Sequence, residues 1–175
     1  QSSTMNDDRL KRALKDSQHR VQSISMIHET LYQSENLASI DMNTYLSKLS
    51  RSMVLNYSVG NKINLKIKSE NIMIDAKQAS SVGLIVNELI SNSFKYAFPD
   101  ERKGKIIVSI KKLDKELNIT FKDDGIGIPD GFDWKNTKSL GLKLVRTLVE
   151  NQLDGSIDME SKNGIKFIIK FNIKT

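Results

Sequence analysis

Asn87-Glu88-Leu89-Ile90-Ser91-Asn92-Ser93-Phe94-Lys95-Tyr96, followed by Asp123-Asp124-Gly125-Ile126-Gly127 and then Ser139-Leu140-Gly141-Leu142, decides how this chain is read. Apolar residues at helical spacing, Leu84, Ile85, Leu89 and Phe94, predict a helix through the first stretch. On such a helix Glu88, Asn92 and Lys95 stand four and three residues apart, which places a carboxylate, an amide and an ammonium on one face. Mg-ATP asks for such a trio: an oxygen for a hard cation, a positive charge for phosphate, and a group that orients the reacting centre. Asp123-x-Gly125-x-Gly127 adds an acceptor for an exocyclic amine, then glycines that let backbone approach a flat ring such as adenine. Taken singly, the three motifs are a polar helix face, a turn and a capped helix start. Their order along the chain points to a nucleotide site.

The flanking sequence supplies the elements that would carry these motifs. Asp75, with Gln78 three residues on, predicts a capping box at the start of the motif helix, and Pro99 stops that helix after about Ala97. Alternating strands over Lys105 to Lys112 and Leu117 to Lys122, joined at Asp114-Lys115, deliver Asp123 at the end of the second. Upstream, Ile63, Leu65 and Ile67 alternate as a strand, with Ile72 to Ile74 expected as its short partner. Downstream, Leu140, Leu144, Val145, Leu148 and Val149 resume helical spacing, and Gly155 opens a strand pair containing Ile157, Met159, Phe167, Ile169 and Phe171. The stretch between, Gly125 to Lys138, is long for a connection within a domain, and its part from Gly131 onward reads as a lid. At the N-terminus, Leu10, Leu14, Val21, Ile24, Ile27 and Leu31 form one long amphipathic helix from Asp7 to Tyr32. Residues 36–40 read as a hinge, and Asp41 as the N-cap of a second helix carrying Tyr45, Leu46, Leu49, Met53 and Leu55. The expected fold is α+β: a two-layer α/β sandwich, helices on one face of a mixed, mostly antiparallel sheet, preceded by a long helix.

Composition narrows the alternatives. A chain of 175 residues, 38% hydrophobic and 27% charged, can bury one substantial core with an appended arm. Lys and Arg number 27 against 21 Asp and Glu, a formal net charge of +6 that suggests an anionic partner. The basic residues are scattered, and 6% aromatics are too few to interleave with them as single-strand nucleic-acid binding would want. ATP phosphates or an acidic protein account for the charge as well. With no cysteine, zinc-thiolate sites and thiol catalysis are excluded, and any metal is oxygen-bound. No run of about twenty apolar residues occurs, so the chain is expected to be cytoplasmic, alone or as the cytosolic part of a larger sensor.

The ordered motifs resemble the catalytic and ATP-binding domain of a sensor histidine kinase, in the GHKL superfamily that also holds gyrase and heat-shock chaperone ATPases. Asn87 to Tyr96 matches that family's N box, Asp123 to Gly127 its G1 box and Ser139 to Leu142 its G2 box. The phrases Ile27-His28-Glu29-Thr30-Leu31-Tyr32-Gln33-Ser34 and Tyr96-Ala97-Phe98-Pro99 resemble the HisKA_2-type subfamily with its alternative dimerisation domain. The resemblance implies a Bergerat-type fold over residues 41–175, preceded in 1–35 by the C-terminal helix of a dimerisation and phosphotransfer domain. It also implies that Asn92 coordinates Mg2+, Lys95 contacts phosphate, and Asp123 accepts the adenine amine. Gly125 and Gly127 would line the base, while Gly141 and Leu142 would bring helix N-terminal amides to phosphate. Tyr96 and Ser139 complete the implied nucleotide-binding set, and Glu88 would orient a Mg-bound water or the substrate.

The same resemblance implies transfer of the γ-phosphoryl to a histidine and its relay to a response regulator, with the full-length protein a homodimer. The subfamily's acceptor lies upstream of the Ile-His-Glu phrase, so the acceptor histidine is expected outside this chain, with His19 solvent-facing and His28 in a packing or capping role. The sequence departs from the family at Gly164-Ile165, where Gly-Thr is usual, and only loosely at Phe132 and Trp134, where an F box has aromatics. A GHKL ATPase, an anti-sigma-type serine kinase and a non-catalytic nucleotide-binding module remain as alternative readings.

Overall fold

Alternating side chains build the sheet. Ile106, Val108 and Ile110 of one strand (β4, Gly104–Leu113) are buried on one face together with Leu117, Ile119 and Phe121 of the next (β5, Glu116–Asp123). The computed structural model describes residues 39–57, 62–129, 131–137 and 139–174, with seven helical positions between 14 and 29. The expectations placed on His19, His28 and most of the hinge lie outside the described residues.

The remaining elements are β1 (Ile40–Asp41), α1 (Met42–Tyr57), β2 (Ile63–Ser69), β3 (Met73–Ile74), α2 (Ala76–Asn92), α3 (Leu140–Thr147), β6 (Ser156–Ser161) and β7 (Ile165–Asn172). Five strands form one sheet in the order β2-β4-β5-β7-β6. Only the β2–β4 pair is parallel; the other three neighbours are antiparallel. The helices cover one face, with Tyr45, Leu46 and Leu49 of α1, Val82, Ile85 and Leu89 of α2, and Val145 of α3 in a common core with the strands. The two-layer α/β sandwich expected from the sequence is the fold observed. Among the described residues, no helix is long and apolar enough to cross a membrane.

Two local expectations are corrected. Residues 72–74 do not pair with β2; β3 pairs antiparallel with β1 instead, Ile40 opposite Ile74. The Ile72 carbonyl accepts from Met42 N (3.0 Å), so this segment satisfies an orphan donor at the start of α1. Asp75 caps α2 by accepting from Lys77 N (2.8 Å) and Gln78 N (3.0 Å), but the box is not reciprocal. Buried Gln78 donates through Nε2 to the Asn172 carbonyl (2.8 Å) and accepts from Lys174 N (3.1 Å), tying the first turn of α2 to the end of β7.

This topology positions the site. A parallel strand pair needs a connection that crosses the sheet, and α2 is part of that connection between β2 and β4. Its last turn therefore arrives beside the start of β4, where Ile106 stands opposite Asp123. The start of β7 reaches the same end, with Lys166 opposite Lys122. Residues 93–97 continue α2 as a π-helical turn, which widens the spacing of side chains just where the motif ends.

Candidate functional site

At that end of the sheet lies a cavity of about 570 Å³. Leu89, Asn92, Ser93, Tyr96 and Ala97 supply its helical wall, and Phe121, Asp123, Ile165 and Phe167 its sheet side. Ile126 to Pro129 and Phe132 close one flank; Thr137, Ser139 and Leu142, at the entry to α3, close the other. Most of this lining is apolar, with a few polar groups placed among it, as in a site for a flat organic ring.

Asp123 is the most deeply buried polar residue of the cavity wall. It occupies the fourth inward position of β5 after Leu117, Ile119 and Phe121, and is only 1% exposed. A carboxylate so buried must be hydrogen-bonded. Oδ2 accepts from Ser93 Oγ (2.6 Å), while Oδ1 accepts from Gly125 N (3.0 Å) and Ile165 N (3.1 Å). An ionised carboxylate has about four acceptor positions. These three donors leave one, on Oδ2, for a ligand N–H. Gly164 makes the arrangement possible: its φ is +102°, and a Cβ there would lie 2.1 Å from the Asp123 carbonyl oxygen. Where the sequence lacks the family's Gly-Thr hydroxyl, the carboxylate is held by the Ile165 amide and by Ser93.

Of the residues singled out in the sequence, the cavity brings together Asn92, Tyr96, Asp123, Gly127, Ser139 and Leu142. Glu88, Lys95, Gly125 and Gly141 stand outside its wall. Glu88 is buried behind it at 5% exposure, Lys95 is exposed, and Gly125 lies against Ala97. The π-helical turn accounts for Lys95: beyond Asn92 the winding is no longer that from which a three-residue step was read as one face. Ser93, Phe121, Ile165 and Phe167 were missed. The parity of β5 signals Phe121, since it precedes Asp123 on the inward face; the Ile165 contact is a backbone amide and has no side-chain signal.

The expected lid is anchored. Trp134 is 9% exposed and meets Phe167 edge-on at 5.7 Å and 82°. Such a pair adds about 0.5–1.5 kcal/mol beyond the burial itself. Lys135 lies over the indole at 5.8 Å, and Arg146 of α3 donates to the Lys135 carbonyl. Asp133 accepts from the Asn136 side-chain amide (2.6 Å) and from the Asn136 and Lys135 backbone amides (3.2 and 3.0 Å). The Asn136 side chain first, then its amide, hold the exposed Asp133 carboxyl below the usual range. Trp134→Ala is expected to speed tryptic cleavage after Lys135 about tenfold or more, because cleavage follows the population of the opened segment. An unchanged rate, read by mass spectrometry of the fragments, would place the anchor elsewhere.

The family model described as "Histidine kinase-, DNA gyrase B-, and HSP90-like ATPase" matches residues 77–175. The chain belongs to that family. A second model, described as "Histidine kinase", matches residues 1–57 of this ATPase-family chain. The sensor histidine kinase PdtaS of Mycobacterium tuberculosis is 30% identical over 148 residues, 84% of this chain and 29% of the relative. The blue-light-activated histidine kinase 2 of Erythrobacter litoralis is 29% identical over 132 residues, 70% of this chain and 38% of the relative. The chain thus spans about a third of the length of the curated relatives it matches. In fold it resembles the histidine kinase domain of the Erythrobacter litoralis EL346 blue-light-activated kinase, with TM-score 0.79 and 22% identity over 89% of this chain and 74% of the other. Its likeness is therefore to the catalytic part of sensor histidine kinases.

Proposed function

We propose that the cavity binds Mg-ATP with adenine against Asp123 and that the bound γ-phosphoryl is delivered to a histidine. The buried, three-fold hydrogen-bonded Asp123 carboxylate, with one acceptor position left and an apolar slot beside it, carries this reading. Asn92 is the candidate Mg2+ ligand and would hold the ion through its side-chain oxygen; among the described residues no cluster of three His or acidic side chains could hold a metal by itself. Mg2+ neutralises charge on the phosphates. Ser139 and Leu142, at the start of α3, face the triphosphate with helix amides. Gly127 flanks the ring with Gly125 behind it against Ala97, while Lys95 and Gly141 would meet the triphosphate where it leaves the cavity. Tyr96, 67% exposed, covers the rim. Glu88, set back from the wall, orients a Mg-bound water or the substrate without contacting the ring.

In the transfer, the bond between the γ-phosphorus and its bridging oxygen breaks, an N–P bond forms, and the imidazole loses a proton as ADP departs. The protein's share is positioning and charge neutralisation. Residues 1–35 are assigned to the end of a dimerisation and phosphotransfer helix, and 41–175 to the catalytic domain. Leu14 and Val21, seven residues apart, and Ile24 are helical, apolar and exposed at 62%, 63% and 44%, which suits a partner helix in a homodimer. A receiver domain of a response regulator would take the phosphoryl onward, in the cytoplasm.

With γ-labelled ATP, this chain is expected to remain unlabelled, and a separate fragment carrying the upstream helix to acquire an acid-labile, alkali-stable label. Label lost on His19→Gln or His28→Gln would move the acceptor into this chain. Intact ATP binding with no labelling of either kind would turn the reading to a non-catalytic module.

A further inference from the structure

We propose that Asn163 is a site of self-modification: its side-chain amide is lost to attack by the Gly164 backbone nitrogen, and the isoaspartyl linkage that results dismantles the hold on Asp123. The covalent step stands on the loop alone; its effect on nucleotide rests on the proposed ATP site. Asn163-Gly164 is the one Asn-Gly pair in the chain. It lies in the three-residue loop between β6 and β7, where Ser161 stands opposite Ile165. Asn163 is exposed, so water reaches its amide. Glycine is the neighbour that least obstructs the attack, because it has no Cβ to crowd the approach of its nitrogen. Among the described residues, the Gly164 N–H donates to no carbonyl and the Asn163 side chain has no hydrogen-bond partner, so neither group is held back.

The site itself demands this pair. Asn163 has φ +55° and Gly164 φ +102°, both in the left-handed region, which asparagine tolerates and glycine enters freely. At 164 no side chain fits, since a Cβ would stand 2.1 Å from the Asp123 carbonyl oxygen. The close approach that brings Ile165 N to Asp123 Oδ1 (3.1 Å) therefore fixes a glycine after the asparagine. In the reaction the Gly164 nitrogen bonds to Cγ of Asn163, the Cγ–Nδ2 bond breaks, and ammonia leaves with the proton that the Gly164 nitrogen gives up. Water then opens the cyclic imide. Cleavage from Cγ leaves ordinary aspartate, whereas cleavage from the main-chain carbonyl carbon leaves the chain running through Cβ and Cγ, one methylene longer. Nothing is oxidised or reduced. In a three-residue loop paired on both sides, that methylene cannot be absorbed without displacing Ile165 N from Asp123. The carboxylate then keeps only Ser93 and Gly125 as donors, and its fixed orientation is lost. Attack also requires the paired loop to open, so a ligand that braces Asp123 slows it.

The test incubates the purified chain in mildly alkaline buffer, with and without Mg-ATP. The tryptic peptide from Asn163 to Lys166 is followed by mass, for conversion of amide to acid, and by methylation with an isoaspartyl methyltransferase. Asn163 is expected to convert first among the asparagines. Mg-ATP at about ten times its Kd is expected to slow the conversion about tenfold, because only the nucleotide-free fraction opens. The number of ATP sites that calorimetry counts is expected to fall in step with isoaspartyl content, the converted molecules binding about tenfold or more weakly. Fresh Asn163→Asp, which has the charge of the product on an unaltered backbone, is expected to bind ATP as wild type does. Asn163→Gly keeps the left-handed turn and has no amide to lose, so it is expected to age without losing sites. Circular dichroism reports that each sample is folded. An Asn163 that outlasts the other asparagines would overturn the proposal, and so would an isoaspartyl-rich chain that binds ATP like the fresh one. A fresh chain that binds no ATP sinks the ATP reading, and the effect on nucleotide with it, while conversion at Asn163 is still scored by mass.

Discussion

Asp123→Ala is expected to weaken ATP and ADP binding by about 100-fold or more, some 2.7 kcal/mol. A hydrogen bond to a charged group contributes about 1.5–3 kcal/mol, and here the loss is compounded because Ser93 Oγ, Gly125 N and Ile165 N all lose their acceptor. Each abandoned buried donor also costs the fold about 1–3 kcal/mol, so calorimetry must be paired with a melting curve and run where the variant is folded. Asp123→Asn serves as the near-isosteric control: it keeps an oxygen but adds an amide that donates, and donor facing donor opposes the adenine amine. Asn92→Ala should act differently, removing chiefly the dependence on Mg2+ and leaving metal-free nucleotide binding nearly intact. A folded Asp123→Ala protein with wild-type ATP affinity would refute the pocket assignment.

A second large effect, on stability alone, is expected at Gly83, in the middle of α2. Tyr45 of α1 lies directly over it, and a Cβ on Gly83 would stand 1.8 Å from the phenol oxygen and 2.7 Å from the ring carbon that bears it. Both residues are buried, Tyr45 at 2% exposure, so neither can step aside. Overpacking of this kind costs about 1–3 kcal/mol or more, which outweighs the roughly 1 kcal/mol that alanine gains over glycine inside a helix. We expect Gly83→Ala to lose about 1–2 kcal/mol net in denaturant unfolding. The Tyr45 hydroxyl has no hydrogen-bond partner among the described residues, so Tyr45→Phe should be neutral or stabilising by about 1 kcal/mol. Combined with Gly83→Ala it removes the nearest clashing atom, and the pair should couple by more than about 1 kcal/mol. Burial also pushes the Tyr45 phenol well above its ordinary range. Below about pH 10 it is neutral in folded and unfolded chains alike; above that, the unfolded chain ionises first and stability falls, a loss that Tyr45→Phe should lack. Strict additivity of the two substitutions would mean that the helices do not meet through this contact.

The elements with a strong period are legible in the sequence. The inward alternation of β4 and β5, the periodic face of α2 and the stop at Pro99 each depend on side chains that advertise their own burial. What could not be read depends on backbone. The Ile165 amide that holds Asp123 belongs to a residue whose side chain says only that it is apolar. The ribbon of β1 and β3 is two residues wide and too short to show alternation. The π-helical turn at 93–97 alters the phase of the motif it terminates, so a spacing read at 3.6 residues per turn holds for Glu88 and Asn92 and lapses before Lys95. Ser93 lies inside the motif but carries no signal of its own, because a small polar residue on a helix has so many ordinary reasons to be there.

The sheet's uncovered face gives the chain's surplus charge an address. Lys66 and Lys68 of β2, Lys105 and Lys111 of β4, Lys122 of β5 and Lys170 of β7 are exposed on alternate positions, away from the helices. Lys166, opposite Lys122, is neutralised in part by Glu160 at 3.2 Å. The cavity lies on the other side of the strands, a layer of roughly 10 Å, while physiological salt screens exposed charges beyond about 8 Å. Little of the +6 is therefore felt by an anion seated beside Asn92 and Ser139. The lysines act instead as a colloidal coat, repelling other copies of the same flank and leaving the hold on phosphate to groups within a few ångströms of it.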